Sequence, residues 1–112
     1  MSVDGIYAAY LAGIAGQGMG MFVFFKGTIA GADAAGLTFS GSYETQNDRI
    51  IGELSYRMPA NSISITGAEF NEPSGEIKVA IDLPTVLEDD ETHRIETPIG
   101  PINAKFTRVS SL

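Results

Sequence analysis

No cysteine occurs in this sequence, so the fold is held by no disulfide and has no thiolate metal site, which fits a reducing compartment. Histidine occurs once, at His93. With no second imidazole, a zinc site would have to rest on carboxylates, an unusual donor set. Basic residues are also few: seven Lys and Arg stand against fourteen Asp and Glu, a net charge of −7. Lys26, Arg49, Arg57, Lys78, Arg94, Lys105 and Arg108 are scattered singly, whereas gripping a phosphate backbone needs them clustered. Direct nucleic-acid binding is therefore not expected, and a basic protein is the electrostatically easier partner. No apolar run approaches the roughly 20 residues of a membrane span, and no basic stretch leads into an apolar one near Met1. Neither a membrane segment nor a signal peptide is expected, and the expected location is the cytoplasm. Proline is missing up to Met58, and all five prolines come later.

What the chain does have is alternation. Leu37, Phe39, Gly41 and Tyr43 share one face of a strand, with Thr38, Ser40 and Ser42 on the other. Ile50, Gly52, Leu54, Tyr56 and Met58 repeat the pattern against Arg49, Ile51, Glu53, Ser55 and Arg57. A period of two marks a strand with one face in a core and one in water. Strands are read over residues 4–12, 19–25, 28–33, 37–44 and 49–58. They are joined by a flexible glycine-rich connection at 13–18, a hairpin turn at Lys26-Gly27, a turn at 34–36, and a hairpin tip of Thr45, Gln46, Asn47 and Asp48. This proline-free stretch reads as a continuous antiparallel meander.

Beyond it, each proline marks a break. A strand holding Ile63 and Ile65 is followed by one over 76–82, with Ile77, Val79 and Ile81 inward. Pro84 opens an acidic loop with room for one helical turn. A short strand over 92–97, a tight loop at 98–101 and a last strand over 102–109 complete the chain. The expected fold class is all-β: one domain over residues 1–112, an eight-stranded antiparallel up-and-down barrel, mostly meander, with a sandwich as second choice. Such a barrel has an interior just wide enough for side chains or one small ligand, and closure removes exposed edges.

The first two strands break the alternation, being apolar on both faces around Ile6 to Ala12 and Met19 to Phe25. A second apolar face needs its own cover, and another copy of the chain would provide it. Met19, Met21, Phe22 and Phe24 are the expected homodimer contacts, because methionine adapts to irregular surfaces and aromatics anchor interfaces. If the barrel instead encloses a small apolar molecule, Phe39, Tyr43, Leu54, Tyr56 and Phe106 are the expected lining.

Signals for chemistry are thin. Gly13, Gly16, Gly18 and Gly20 invite a phosphate-loop reading, but that needs a helix after the glycines, and a phenylalanine-rich strand follows instead. They read as serving a loop and a bent barrel strand. His93 lies beside Asp89, Asp90 and Glu91, a possible dyad, yet adjacent residues in a charged loop rarely hold fixed geometry, so it reads as a solvated loop histidine. The run Glu88-Asp89-Asp90-Glu91 lacks the alternating ligands and central glycine of a calcium loop. It reads either as a solvated loop or as a docking patch for a basic segment. No serine or threonine stands in a nucleophile motif, and no paired carboxylates have catalytic spacing. No catalysis, metal or cofactor is expected.

Four fragments in order carry a family resemblance: Asp4-Gly5-Ile6-Tyr7, then Gly18-Met19-Gly20 entering an apolar strand. Gly27-Thr28-Ile29-Ala30-Gly31-Ala32-Asp33 and Phe39-Ser40-Gly41-Ser42-Tyr43 follow. Over about its first half the chain resembles the GrlR-like negative regulators of bacteria, first known as repressors of type III secretion. The resemblance implies a small, dimeric, lipocalin-like barrel with an apolar interior. It also implies regulation by sequestering a DNA-binding activator through a run of four acidic residues on a surface hairpin. The matching hairpin here is Thr45-Gln46-Asn47-Asp48, of which only Asp48 is acidic. The expected function is a non-enzymatic cytoplasmic regulator that binds another protein at this tip or at Glu88 to Glu91. The alternative is a carrier or sensor holding a small apolar ligand inside the barrel.

Overall fold

The computed structural model describes residues 3–112. The ladders begin with β1 (Gly5–Gly13), β2 (Gly16–Phe25), β3 (Thr28–Asp33), β4 (Thr38–Gln46) and β5 (Arg49–Tyr56). Then come β6 (Ser62–Ile63), β7 (Glu69–Phe70), β8 (Ile77–Pro84), β9 (His93–Thr97) and β10 (Gly100–Ser111). Eight of these form one antiparallel sheet in the order β8-β5-β4-β3-β2-β1-β10-β9. Its two outermost strands, β8 and β9, come alongside each other, so the sheet curls into a nearly closed barrel. The fold is all-β with meander connectivity, as the alternation predicts. None of the described residues forms a helix, and so no helix is long and apolar enough to cross a membrane. The helical turn expected after Pro84 is absent; residues 85–92 are bends and turns.

Two hairpins close on two-residue turns whose central residues all have positive φ: Lys26 (48°) with Gly27 (81°), and Asn47 (50°) with Asp48 (66°). This mirror-image turn matches the twist of the strands it joins, and Asn and Asp tolerate it better than most residues. The second tip is therefore Asn47 and Asp48 alone, while Thr45 and Gln46 are strand residues. The connection expected over 13–18 is shorter too. Gly13 pairs with Gly16, leaving Ile14 and Ala15 as the turn.

Residues 57–76 leave the barrel. Pro59 and Asn61 (φ 56°) turn the chain away, and β6 pairs only with β7. The strand expected around Ile63 and Ile65 is thus not part of the barrel, and β9 completes the eight. This strap crosses the barrel end where β1 meets β2. Ala15 N–H donates to the Ile65 carbonyl at 2.8 Å. A Cβ on Gly13 would lie 2.3 Å from that same carbonyl oxygen, so a side chain there would push the strap away. At the base of the strap, Met58 N–H donates to Ser74 Oγ at 2.8 Å, and Ser74 N–H to the Met58 carbonyl at 2.9 Å.

The core fills the barrel with inward side chains from the alternating strands. Ile77, Val79, Ile81 and Leu83 of β8 are buried, as are Tyr7 and Ala9 of β1. Phe22 and Phe24 join them at 6% and 3% exposure, which corrects their expected place on an outer dimer face. The reason lies across the ladder. Phe22 pairs with Gly31, where a Cβ would come within 2.5 Å of the ring, so the aromatic occupies the space a side chain would need. Phe22 then packs on Phe39 (centroids 5.3 Å apart), and Phe24 on Tyr7 and Tyr43 (each 5.4 Å).

Candidate functional site

With the register fixed by the buried residues, β2 presents Met19, Met21, Val23 and Phe25 on its outer side. Ladder pairing sets Met19 against Tyr10, Met21 against Ala8 and Val23 against Ile6 of β1. On the other side Met21 meets Ala32, and Val23 meets Ala30, of β3. The result is a continuous apolar patch three strands wide, in which Tyr10, Met19, Met21 and Phe25 are 50%, 43%, 39% and 42% exposed. Its flanks are polar: Thr38 and Ser40 of β4 beyond β3, and Lys105 and Thr107 of β10 beyond β1. Of the four residues expected at a dimer contact, Met19 and Met21 lie on this patch and Phe22 and Phe24 do not.

The barrel end away from the strap is closed by a polar network over a plug of Val3, Tyr7 and Leu87. The buried Tyr7 hydroxyl donates to the Val3 carbonyl at 2.6 Å. Arg108 Nε donates to the Tyr7 hydroxyl at 3.1 Å, and Nη2 to that hydroxyl and to the Val3 carbonyl. Nearby, the Tyr43 hydroxyl donates to Asp4 Oδ1 at 2.8 Å. Burial, reinforced by the Asp4 carboxylate, pushes the Tyr43 phenol up to about 12. Tyr43 therefore seals this end and does not border the interior cavity, where it was expected.

The hairpin tip and the start of the acidic loop meet at this closed end. Thr85 N–H donates to the Asp48 carbonyl at 3.1 Å, tying the start of the acidic loop to the hairpin tip. Thr45, Gln46, Asn47 and Asp48 are exposed, as are Glu88, Asp89, Asp90 and Glu91. Asp4 and Glu44 add to the negative charge there. Arg108 is turned onto Tyr7, and Arg49, beside the tip, pairs with Asp82 at 2.8 Å. The sequence placed these two segments 40 residues apart with nothing to relate them; the pairing of β8 with β5, which sets Pro84 against Arg49, brings the start of the acidic loop beside the tip.

His93 is not a solvated loop residue. It opens β9 opposite Ala104, and period-two alternation turns it inward with Ile95 and Thr97. Its side chain is 10% exposed, its ring centre lies 6.0 Å from that of Phe106, and Nε2 is buried with no hydrogen-bond partner among the described residues, 3.7 Å from Glu91 Oε2. That alternation from His93 to Thr97 was the signal that could have found it. Among the described residues no group of three or more His, Cys, Asp or Glu is placed to hold a metal ion.

The interior is nearly full. Phe39, Leu54 and Phe106, with Leu11, Thr97 and Ile102, border a cavity of about 70 Å³ that meets only apolar atoms. Tyr56 stands farther out, its ring 5.1 Å from that of Phe39, at a recess of about 490 Å³ between the barrel rim and the strap. Burial raises the Tyr56 phenol above its ordinary value. Among protein-family models none matches this chain, and no curated protein matches it either.

Proposed function

We propose that the protein is a non-enzymatic, cytoplasmic bacterial regulator of the GrlR-like type, acting by protein–protein binding as a homodimer. The observation that carries this reading is the apolar outer patch on β1, β2 and β3. From strand and residue spacings, the nine outward residues of these three strands cover on the order of 300 Å². Patches of about that size on monomers are often functional, and this one is somewhat over a third of the roughly 800 Å² each partner buries in a standard interface. A methionine-rich apolar centre with serine, threonine and lysine at its margins has the layout of an interface core and rim. The occupant best suited to it is a second copy, because Met19, Met21, Val23 and their ladder partners carry no charge and Lys26 lies only at the Phe25 end.

The regulatory partner belongs at the closed end. Asp48, tied to Thr85 by a hydrogen bond, and the Glu88 to Glu91 run that follows in the same loop supply negative charge suited to a basic segment such as that of a DNA-binding activator. The four-fragment resemblance implies an activator bound at the hairpin, where Asp48 alone of the four matching positions is acidic; the Glu88 to Glu91 run is outside the matched fragments. The test is capture of a basic transcriptional activator from the same bacterium by the purified protein. Replacing Asp48 and Glu88 to Glu91 by lysine is expected to weaken capture at least tenfold at low salt. Capture that is unchanged by those substitutions would remove the acidic end from the account.

A further inference from the structure

We infer that the recess under the strap is a binding site for a neutral, chain-like apolar molecule with one hydrogen-bonding end group, such as a medium-chain alcohol. This is independent of whether the protein forms dimers. The recess, about 490 Å³, falls within the size range of small-molecule sites, and mouths of barrels are a common place for them. Leu11, Leu37, Phe39, Ile65 and Ile102 give it apolar walls. Leu11, Phe39, Thr97 and Ile102 also border the inner cavity, so the two spaces adjoin. That inner space, about 70 Å³, is less than half the size of a cavity known to hold a benzene ring (about 150 Å³). It suits the end of an aliphatic chain and excludes a ring.

The polar groups decide the head group. Neither lysine nor arginine lines the recess, so nothing there would neutralise a carboxylate. Asp33, its one charged residue, already accepts the backbone N–H groups of Ala35 and Leu37 through Oδ1, at 3.0 and 2.9 Å. Thr97 Oγ1 donates to the Gly100 carbonyl at 2.6 Å, and Ser64 Oγ accepts from Thr66. Tyr56 and Gln17 also line the recess and make no hydrogen bond within the described residues; of the two, Gln17 is exposed and Tyr56, whose phenol stays protonated across the ordinary pH range, is half-buried. Tyr56 is the anchor for a hydroxyl or carbonyl end. The strap over the recess is tied to the β1–β2 turn by the hydrogen bond from Ala15 to Ile65, a contact that can open without disturbing the barrel ladders.

The experiment loads the full chain with the neutral fluorescent probe N-phenyl-1-naphthylamine and titrates decan-1-ol or decanoate against it. Decan-1-ol is expected to displace the probe at a concentration at least tenfold below that of decanoate. Tyr56→Phe should weaken displacement by decan-1-ol about fivefold, the loss of one hydrogen bond, without changing displacement by decane. Met21→Glu, on the outer patch, should leave all three curves in place. Failure of decan-1-ol to displace the probe, or equal potency of decanoate, would overturn the assignment. So would abolition of displacement by Met21→Glu, since the molecule would then sit on the outer face.

Discussion

Arg108 lies across the ring of Tyr7, its guanidinium carbon 5.1 Å from the ring centre, and donates to the hydroxyl that Tyr7 in turn donates to Val3. One side chain from the last strand thereby fixes the first strand and Val3, two residues before it. Removing it leaves the buried Tyr7 hydroxyl and the Val3 carbonyl short of a donor. Arg108→Ala is expected to lower stability by about 1–3 kcal/mol, read from urea unfolding at unchanged slope. Arg108→Lys should recover only part of that, because an ammonium cannot reach both acceptors in one plane or stack on the ring.

Tyr43 gives the closed end a signature at alkaline pH. Its phenol is held at about 12, above the ordinary 10.0, so the folded state keeps a proton that the unfolded chain releases. Stability from this group is complete below pH 10 and is lost as pH rises from about 10 towards about 12. Absorbance titration of phenolate should show Tyr43 ionising last and together with unfolding. In Tyr43→Phe that late step disappears and the alkaline loss of stability becomes shallower.

The β4–β5 crossing depends on the missing side chain of Gly41. A Cβ there would stand 2.0 Å from the Glu53 carbonyl oxygen, whereas one on Gly18 of β2 would meet nothing within 4 Å. Gly41→Ala is expected to cost about 2 kcal/mol or more by forcing the two strands apart. Gly18→Ala should be neutral or stabilising by up to about 1 kcal/mol, through the unfolded chain. Thermal unfolding of the two variants side by side checks the contrast.

The sequence pattern carried the barrel a long way. Alternation in β4, β5 and β8 specified which side chains point inward, and Lys26-Gly27 specified a tight turn, because both signals are local. Two features were not local. Phe22, Phe24 and Phe25 sit so close in the chain that composition cannot say which face is the core; the deciding partner is Gly31, on the next strand. Ile63 and Ile65 carry a strand-like period, yet Pro59, Asn61 and Gly67 turn that segment out of the sheet and make it a strap. The recess beneath the strap followed from that excursion and had no signal in the pattern. Tyr56 and Tyr43, both expected at the interior cavity, stand outside it: Tyr56 at the recess, and Tyr43 at the closed end through its hydrogen bond to Asp4.

Sedimentation equilibrium of the intact chain and of Met21→Glu tests the central claim most directly. The expected masses are twice the 11.9 kDa of one chain for the native sequence at micromolar concentration, and 11.9 kDa for Met21→Glu, which should remain folded since the residue is outside the core. A native chain that stays at 11.9 kDa up to its solubility limit, or a Met21→Glu variant that pairs as strongly as the native one, would contradict the account.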